Sequence, residues 1–338
     1  MRNSLFANSF QDQILKMSAC QNAGIRLKYG LMKKKFIIGI DLGGTNLKTA
    51  LFDSRLRIID KEVVDTQRFL RKPRLIQAIC DSVHRITGKN KVTRKEIIGI
   101  GLGVPGPTDH ASGIVHFFPN IPGWKKVNLK SILKKRLKLP IFLDNDAKLM
   151  TLAEYGLGAG RGFQNVLCLT LGTGVGGGLI LNGELYRGKD NAAGEIGHLP
   201  INEKGPACNC GGWACLESYI GNNPILKEAR DVFKKTISLE ELSLLAKKGN
   251  KKAKGIWIRI GEHLGVALAG MVNVLNLDAV VLGGGIANAG LVLFQKTRET
   301  IRKRAMSVQA KRIKVLKARL GSDAGMVGAA LLVKEVLK

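Results

Sequence analysis

"FIIGIDLGGTNLKTALFD", residues 36–53, reads as an apolar strand, a Gly-Gly-Thr turn and a second apolar strand. A later stretch, "NVLCLTLGTGVGGGLILNG" (165–183), has the same form, and Leu42-Gly43-Gly44 overlays on Leu171-Gly172-Thr173. Two such hairpins predict two related halves facing one site. Gly172, Gly174 and Gly177 also spell G-x-G-x-x-G, but a dinucleotide fingerprint needs a helix after the turn, and "GLILNGEL" follows as a short strand. The Rossmann reading is therefore rejected. The Walker A pattern is absent from the chain. What remains is a glycine hairpin whose bare backbone N–H groups can approach phosphate.

The surrounding segments alternate. "RLIQAICDSVHRI" (74–86) has helical spacing, and "EIIGIGLGVPGPT" (96–108) is a strand entering a Gly/Pro loop. "KSILKKRLKLPIFLDNDA" (130–147) predicts an amphipathic helix, a strand and an acidic turn. Residues 257–287 predict a long helix and a buried strand ending in glycines. Residues 322–338 predict a helix capped by Ser322-Asp323. The class is α/β.

The 338 residues suffice for one large or two ordinary domains. Gln164 to Gly183 carries no charge and has the length of a membrane span, but its six glycines make it a poor helix. No signal peptide or disulfide pattern is evident, so a cytoplasmic protein without membrane partners is expected. The net charge of +28 raises the question of nucleic acid. The basic residues are spread along the whole chain, without interleaved aromatics, and no specific nucleic-acid partner is expected. Residues 1–32 read as a basic N-terminal extension, expected to be disordered.

Four places carry chemistry. Asp41 ends an apolar strand beside Gly43, Gly44 and Thr45, where a carboxylate can hold Mg²⁺ while the turn accepts phosphate. Asp144, Asn145 and Asp146 follow the strand "PIFL"; a carboxylate there suits a general base, and an N-cap role for the next helix is the plainer alternative. "AAGEIGH" supplies Glu195 and His198, followed by Cys208, Cys210 and Cys215. This C-x-C and C-x4-C spacing with a nearby histidine reads as a four-ligand Zn²⁺ set, closed to water and therefore structural, with unliganded thiols or a redox pair as the alternatives. "VVLGGGIA" ends a strand in glycines, which admits a flat ring or a phosphate, or serves only as a turn.

From about Phe36 to Lys338 the chain resembles the sugar kinases of the ROK family, most of all its bacterial glucokinases. The resemblance rests on "DLGGTN", "GVPGPTD", "PNIPGW", "LDNDA", "LTLGTGVGGG", "AAGEIGH", "CNCGGWACLE", "LGGGIA" and "DAGMVGAA", in the family's order. It implies two actin-like (RNase H-like, ASKHA) domains around a cleft. The small domain would be 33–150 plus 323–338, and the large one, with the zinc loop, 151–322. It implies ATP and Mg²⁺ against Asp41, Gly43, Gly44, Thr45, Thr173 and Gly174, with Gly284 and Gly285 near the adenosine. The sugar would meet Asn120, Asn145, Asp146, Glu195, His198 and Glu217. Zinc would take His198, Cys208, Cys210 and Cys215.

Asp146 would accept the proton of a hexose 6-hydroxyl as it attacks the γ-phosphorus. Glucose leads as acceptor, ahead of N-acetylglucosamine, N-acetylmannosamine, mannose or fructose; polyphosphate is the other donor to weigh. The resemblance also implies a homodimer or homotetramer. The family's transcriptional repressors are the rival class, but a complete "LDNDA" favours catalysis. One departure stands out: Ala214 occupies a position that is usually Gly in the family, and a left-handed backbone there would be strained.

Overall fold

The computed structural model describes residues 35–69, 71–118 and 123–337; Asn120 and the extension 1–32 lie outside them. The first half opens with the expected hairpin, β1 (Phe36–Leu42) and β2 (Asn46–Asp53), followed by β3 (Ile58–Asp65) and helix α1 (Lys72–Lys89). Strand β4 (Ile97–Val104) leads to a small ribbon, β5 (Thr108–Asp109), β6 (Ile114–Val115) and β7 (Val127–Asn128). Helix α2 (Leu129–Leu137), strand β8 (Ile141–Asn145) and helix α3 (Asp146–Leu157) complete it.

The second half begins with β9 (Val166–Leu171), β10 (Val175–Leu181) and β11 (Glu184–Tyr186). The helices α4 (Glu217–Ile220), α5 (Asn222–Phe233), α6 (Leu239–Lys247) and α7 (Lys251–Leu275) follow. Strand β12 (Ala279–Gly283), helices α8 (Leu291–Arg304) and α9 (Ser307–Arg312), strand β13 (Lys314–Lys317) and helix α10 (Ala324–Val336) end it.

The two halves repeat one topology. The sheets run β3-β2-β1-β4-β8 and β11-β10-β9-β12-β13. In each, the first three strands are antiparallel and the last three parallel. The central parallel strands β4 and β12 are buried and wholly apolar, as strands covered on both faces must be. Helix α7 is long and apolar enough to cross a membrane by length and composition. Here it lies in the core, burying Trp257, Leu264 and Leu268 with β9 and β12 residues.

The last helix of each half crosses to the other. Helix α3 leaves β8 and packs on β9 and β10; α10 leaves β13 and packs on β1 and β4; and the two helices pack on each other. The crossing is tight: a side chain at Gly101 would run into the Ala329 carbonyl of α10. The expected boundary at residue 150 thus falls inside α3. Glu154 of α3 is buried and its carboxylate accepts the backbone N–H groups of Ala159, Arg319 and Leu320, so it also fixes the segment leading into α10.

The expected Ser322-Asp323 cap is a correction. Asp323 stands at the N-cap of α10 but makes no side-chain capping bond. Its carboxylate is taken by Lys61 of β3, 2.9 Å away, because a full charge is a better partner than a backbone amide.

Candidate active site

Asp41 is set by the β1–β2 register, which places it opposite Lys48. Their charged groups are 3.9 Å apart. Burial raises the pKa of the Asp41 carboxyl and the Lys48 charge lowers it, with burial the larger effect. A half-buried carboxylate with no closer cation among the described residues is suited to a divalent metal. The turn is pinned from outside by Gln67, which donates to the Gly44 carbonyl, while Thr45 stays exposed.

The glycines of the second hairpin divide by what they face. A methyl at Gly178 would strike Thr151 of α3, and one at Gly176 would come within 2.9 Å of the Ala147 methyl. These glycines admit α3, not a ligand. Gly172 alone of the run faces open space, beside exposed Thr173. Gly174 faces the Glu217 carboxylate, and Glu217 Oε2 accepts the Val175 N–H at 2.8 Å. Gly284 is left-handed (φ 83°) and packs on the Leu171 backbone, so it seats β12 against the hairpin; Gly285 faces open space.

Both readings of "LDNDA" hold, on different residues. Asn145 caps α3, its side-chain oxygen accepting from Ala147 and Lys148 N–H. Asp146 is the first helical residue, where the helix dipole favours an anion. Its Oδ1 accepts from Ala147 N–H at 2.8 Å. Burial pushes its pKa up to about 7, with the negative charges of Asp41 and Glu195 adding to the rise. The geometry therefore brings Asp41, Asp146 and Glu195 into one electrostatic neighbourhood. Asp144 is fully buried; its Oδ2 accepts from Arg187 Nε at 2.8 Å and lies 3.8 Å from His110 Nδ1.

His198, Cys208, Cys210 and Cys215 present ligand atoms all within 4.8 Å of one another. Cys210 and Cys215 sulfurs are 3.7 Å apart, and Cys208 Sγ is 3.6 Å from His198 Nδ1. Tetrahedral zinc, with Zn–S about 2.3 Å and Zn–N about 2.0 Å, has S–S edges of about 3.8 Å and S–N edges of about 3.5 Å. The donor set fits that ion, with Nδ1 turned inward. Ala214 has φ 55° and is fully buried, which makes it the strained position anticipated at the departure from glycine.

Sequence reasoning missed Arg187, Lys148 and His110. Arg187 stands in the polar stretch "RGKDN", beside Lys189 and Asp190, and gives no pattern. Lys148 did leave a signal, a lysine at i, i+3, i+4 spacing with Thr151 and Leu152, and the structure leaves it only 2% exposed.

A model of the ROK family matches residues 37–336. A glucokinase of Thermotoga maritima is 35% identical over 318 residues, covering 90% of this chain and 99% of the relative. A xylose repressor of Caldicellulosiruptor bescii is 30% identical, covering 89% and 79% respectively. Among solved structures, a ROK glucokinase from Streptomyces griseus in complex with glucose and AMPPNP has a TM-score of 0.77 at 29% identity, covering 89% of this chain and 99% of that one. The duplicated α/β sheets are the actin-like fold expected above.

Proposed function

Because the chain belongs to the ROK family, we propose that it is an ATP-dependent hexose kinase that converts glucose to glucose 6-phosphate with Asp146 as general base. The observation that carries the reading is the placement of Asp146. It heads the helix that joins the two halves, and its carboxyl is raised to about 7 among other carboxylates. A base poised near the working pH is both ionised and strong enough to take a hydroxyl proton.

In this reading the sugar lies among Asn120, Asn145, Asp146, Glu195, His198 and Glu217. Asp146 accepts the 6-hydroxyl proton as that oxygen attacks the terminal phosphorus in line. The phosphates lie against Gly43, Gly44, Thr45, Thr173 and Gly174, where turn N–H groups stabilise the transferring charge, with Gly284 and Gly285 toward the adenosine. Asp41 would hold Mg²⁺, which neutralises phosphate charge when bound. His198, Cys208, Cys210 and Cys215 would hold zinc, which fixes the His198 ring and leaves Nε2 for a sugar hydroxyl. ATP as donor and three free thiols at Cys208, Cys210 and Cys215 suit a reducing, cytoplasmic setting.

Coupled assays over a hexose panel, with ATP and polyphosphate as donors, test the reading. Glucose with ATP should give the highest kcat/KM; absence of hexose phosphorylation overturns it. The identity to a xylose repressor favours one second reading, sugar-responsive DNA binding. Duplex binding at physiological salt, relieved by sugar, would establish that instead.

A further inference from the structure

Arg187 and Lys148 lie beside the proposed site without a part in the reaction described. Arg187 follows β11 of the second sheet and begins an irregular segment that ends at Glu195 and His198. Gly188, Asn191 and Gly194 in that segment all have left-handed φ, and the Ala193 N–H donates to the Arg187 carbonyl at 3.0 Å, which closes it into a turn of its own. Two bonds tie it to the Asp144–Lys148 turn. Arg187 Nε donates to Asp144 Oδ2 at 2.8 Å, while Asp144 Oδ1 accepts the Asn145 N–H at 2.8 Å. Lys148 Nζ donates to the Asn191 carbonyl at 2.9 Å. The two tethers run in opposite directions, one cation from each side.

The charges support a built arrangement. Asp144, Asp146 and Glu195 place three carboxylates together, and Arg187 and Lys148 are the cations among them. Burial lowers the pKa of the Lys148 ammonium, and Asp144 and Glu195 oppose that shift. Neither cation extends into solvent, as a lysine or arginine on a loop ordinarily does.

We propose that Arg187 and Lys148 are positioning residues for phosphoryl transfer, stapling the Arg187–Glu195 segment to the Asp144–Lys148 turn so that Glu195 and Asp146 meet the sugar as one preassembled unit. The proposal rests on the reading of Asp146 and Glu195 given above. It places the cost of ordering the sugar side in the folded protein, before substrate arrives.

The test uses Arg187→Met, Arg187→Lys and Lys148→Met in the full chain. It measures kcat, both KM values, and the dissociation constant, without nucleotide, of the best hexose of the wild-type panel (glucose on the present reading). Arg187→Met should lower kcat by about 10–100-fold, the usual effect of a misplacement of about 1 Å, and weaken hexose binding by about tenfold. Its KM for ATP should stay within about twofold, and Arg187→Lys should recover part of the loss, since an ammonium can still reach Asp144. Lys148→Met should show the same split. If Arg187→Met does not fold, Arg187→Lys and Lys148→Met are judged by that split.

Hexose affinity and kcat unchanged in the folded variants overturns the proposal, as does a parallel loss in hexose and ATP parameters. Asp146→Asn run alongside separates the two readings. If it keeps full turnover the base assignment fails, whereas nucleotide-free hexose affinity still reports on the staple.

Discussion

Glu217 Oε2 accepts the Val175 N–H at 2.8 Å, and the same carboxylate covers Gly174. Glu217 comes two residues after Cys215, and its helix is followed by Asn222, whose N–H donates to the Gly172 carbonyl. The thiol–histidine cluster is thus fastened to the β9–β10 hairpin, the proposed phosphate side, as well as to the proposed sugar side. Cys210→Ser should therefore weaken hexose and ATP binding together and lower Tm. Metal analysis of the wild type should find about one zinc per chain, the stoichiometry of a single four-ligand site. A zinc-free, fully active protein would contradict the site, and a loss of Tm with both affinities intact would reduce the loop to scaffolding.

Asp146→Asn should lose about 10²–10⁴ in kcat, the usual worth of a general base, while hexose binding persists. It should also stabilise the fold. The folded carboxyl binds its proton more tightly than the unfolded one, from the ordinary value up to about 7. Its contribution to stability is therefore full in acid and declines as pH rises toward 7, by up to about 1.4 kcal/mol per unit. An amide does not ionise, so the variant should gain most at pH 8 and little at pH 4. Denaturation at the two pH values checks this, and equal gains at both would refute the linkage.

The same carboxyl sets the acid limb of activity. kcat/KM for the hexose should fall about tenfold per unit below a midpoint near pH 7, as Asp146 takes up a proton. Glu195→Gln removes one of the negative charges that raise it, so the residual activity should show a midpoint at lower pH. An unmoved limb would mean that another group titrates.

Much of this was legible because it is written in periodicity. Both hairpins, α7 and the β12 strand follow from apolar runs ended by glycine, and the cysteine spacing announces the four-ligand cluster. For the glycines of β10, sequence does not say which neighbour needs the space; here α3 arrives from the other half of the chain. Asp144 and Asp146 look equivalent in "LDNDA", and only the fold gives one to Arg187 and leaves the other at the head of α3. Asp323 precedes a helix as a cap would, yet Lys61, 262 residues away, claims its carboxylate.

Ala214 tests how strain is carried. Its φ of 55° costs an L-residue about 1–2 kcal/mol relative to glycine. Two terms oppose relief by Ala214→Gly. The methyl is fully buried against Gly205, and burying one such group is worth about 0.8 kcal/mol. Glycine also loosens the unfolded chain by about 0.4–1 kcal/mol. The sum lies near zero, so Ala214→Gly should change stability by less than about 1 kcal/mol. Ala214→Val has no such balance, since a branched side chain meets both the left-handed backbone and Gly205, whose own space is closed by Tyr219. It should cost more than about 2 kcal/mol and release metal at lower chelator concentration. A gain above about 2 kcal/mol for the glycine variant would show that the methyl contributes nothing and that the loop stores the full strain.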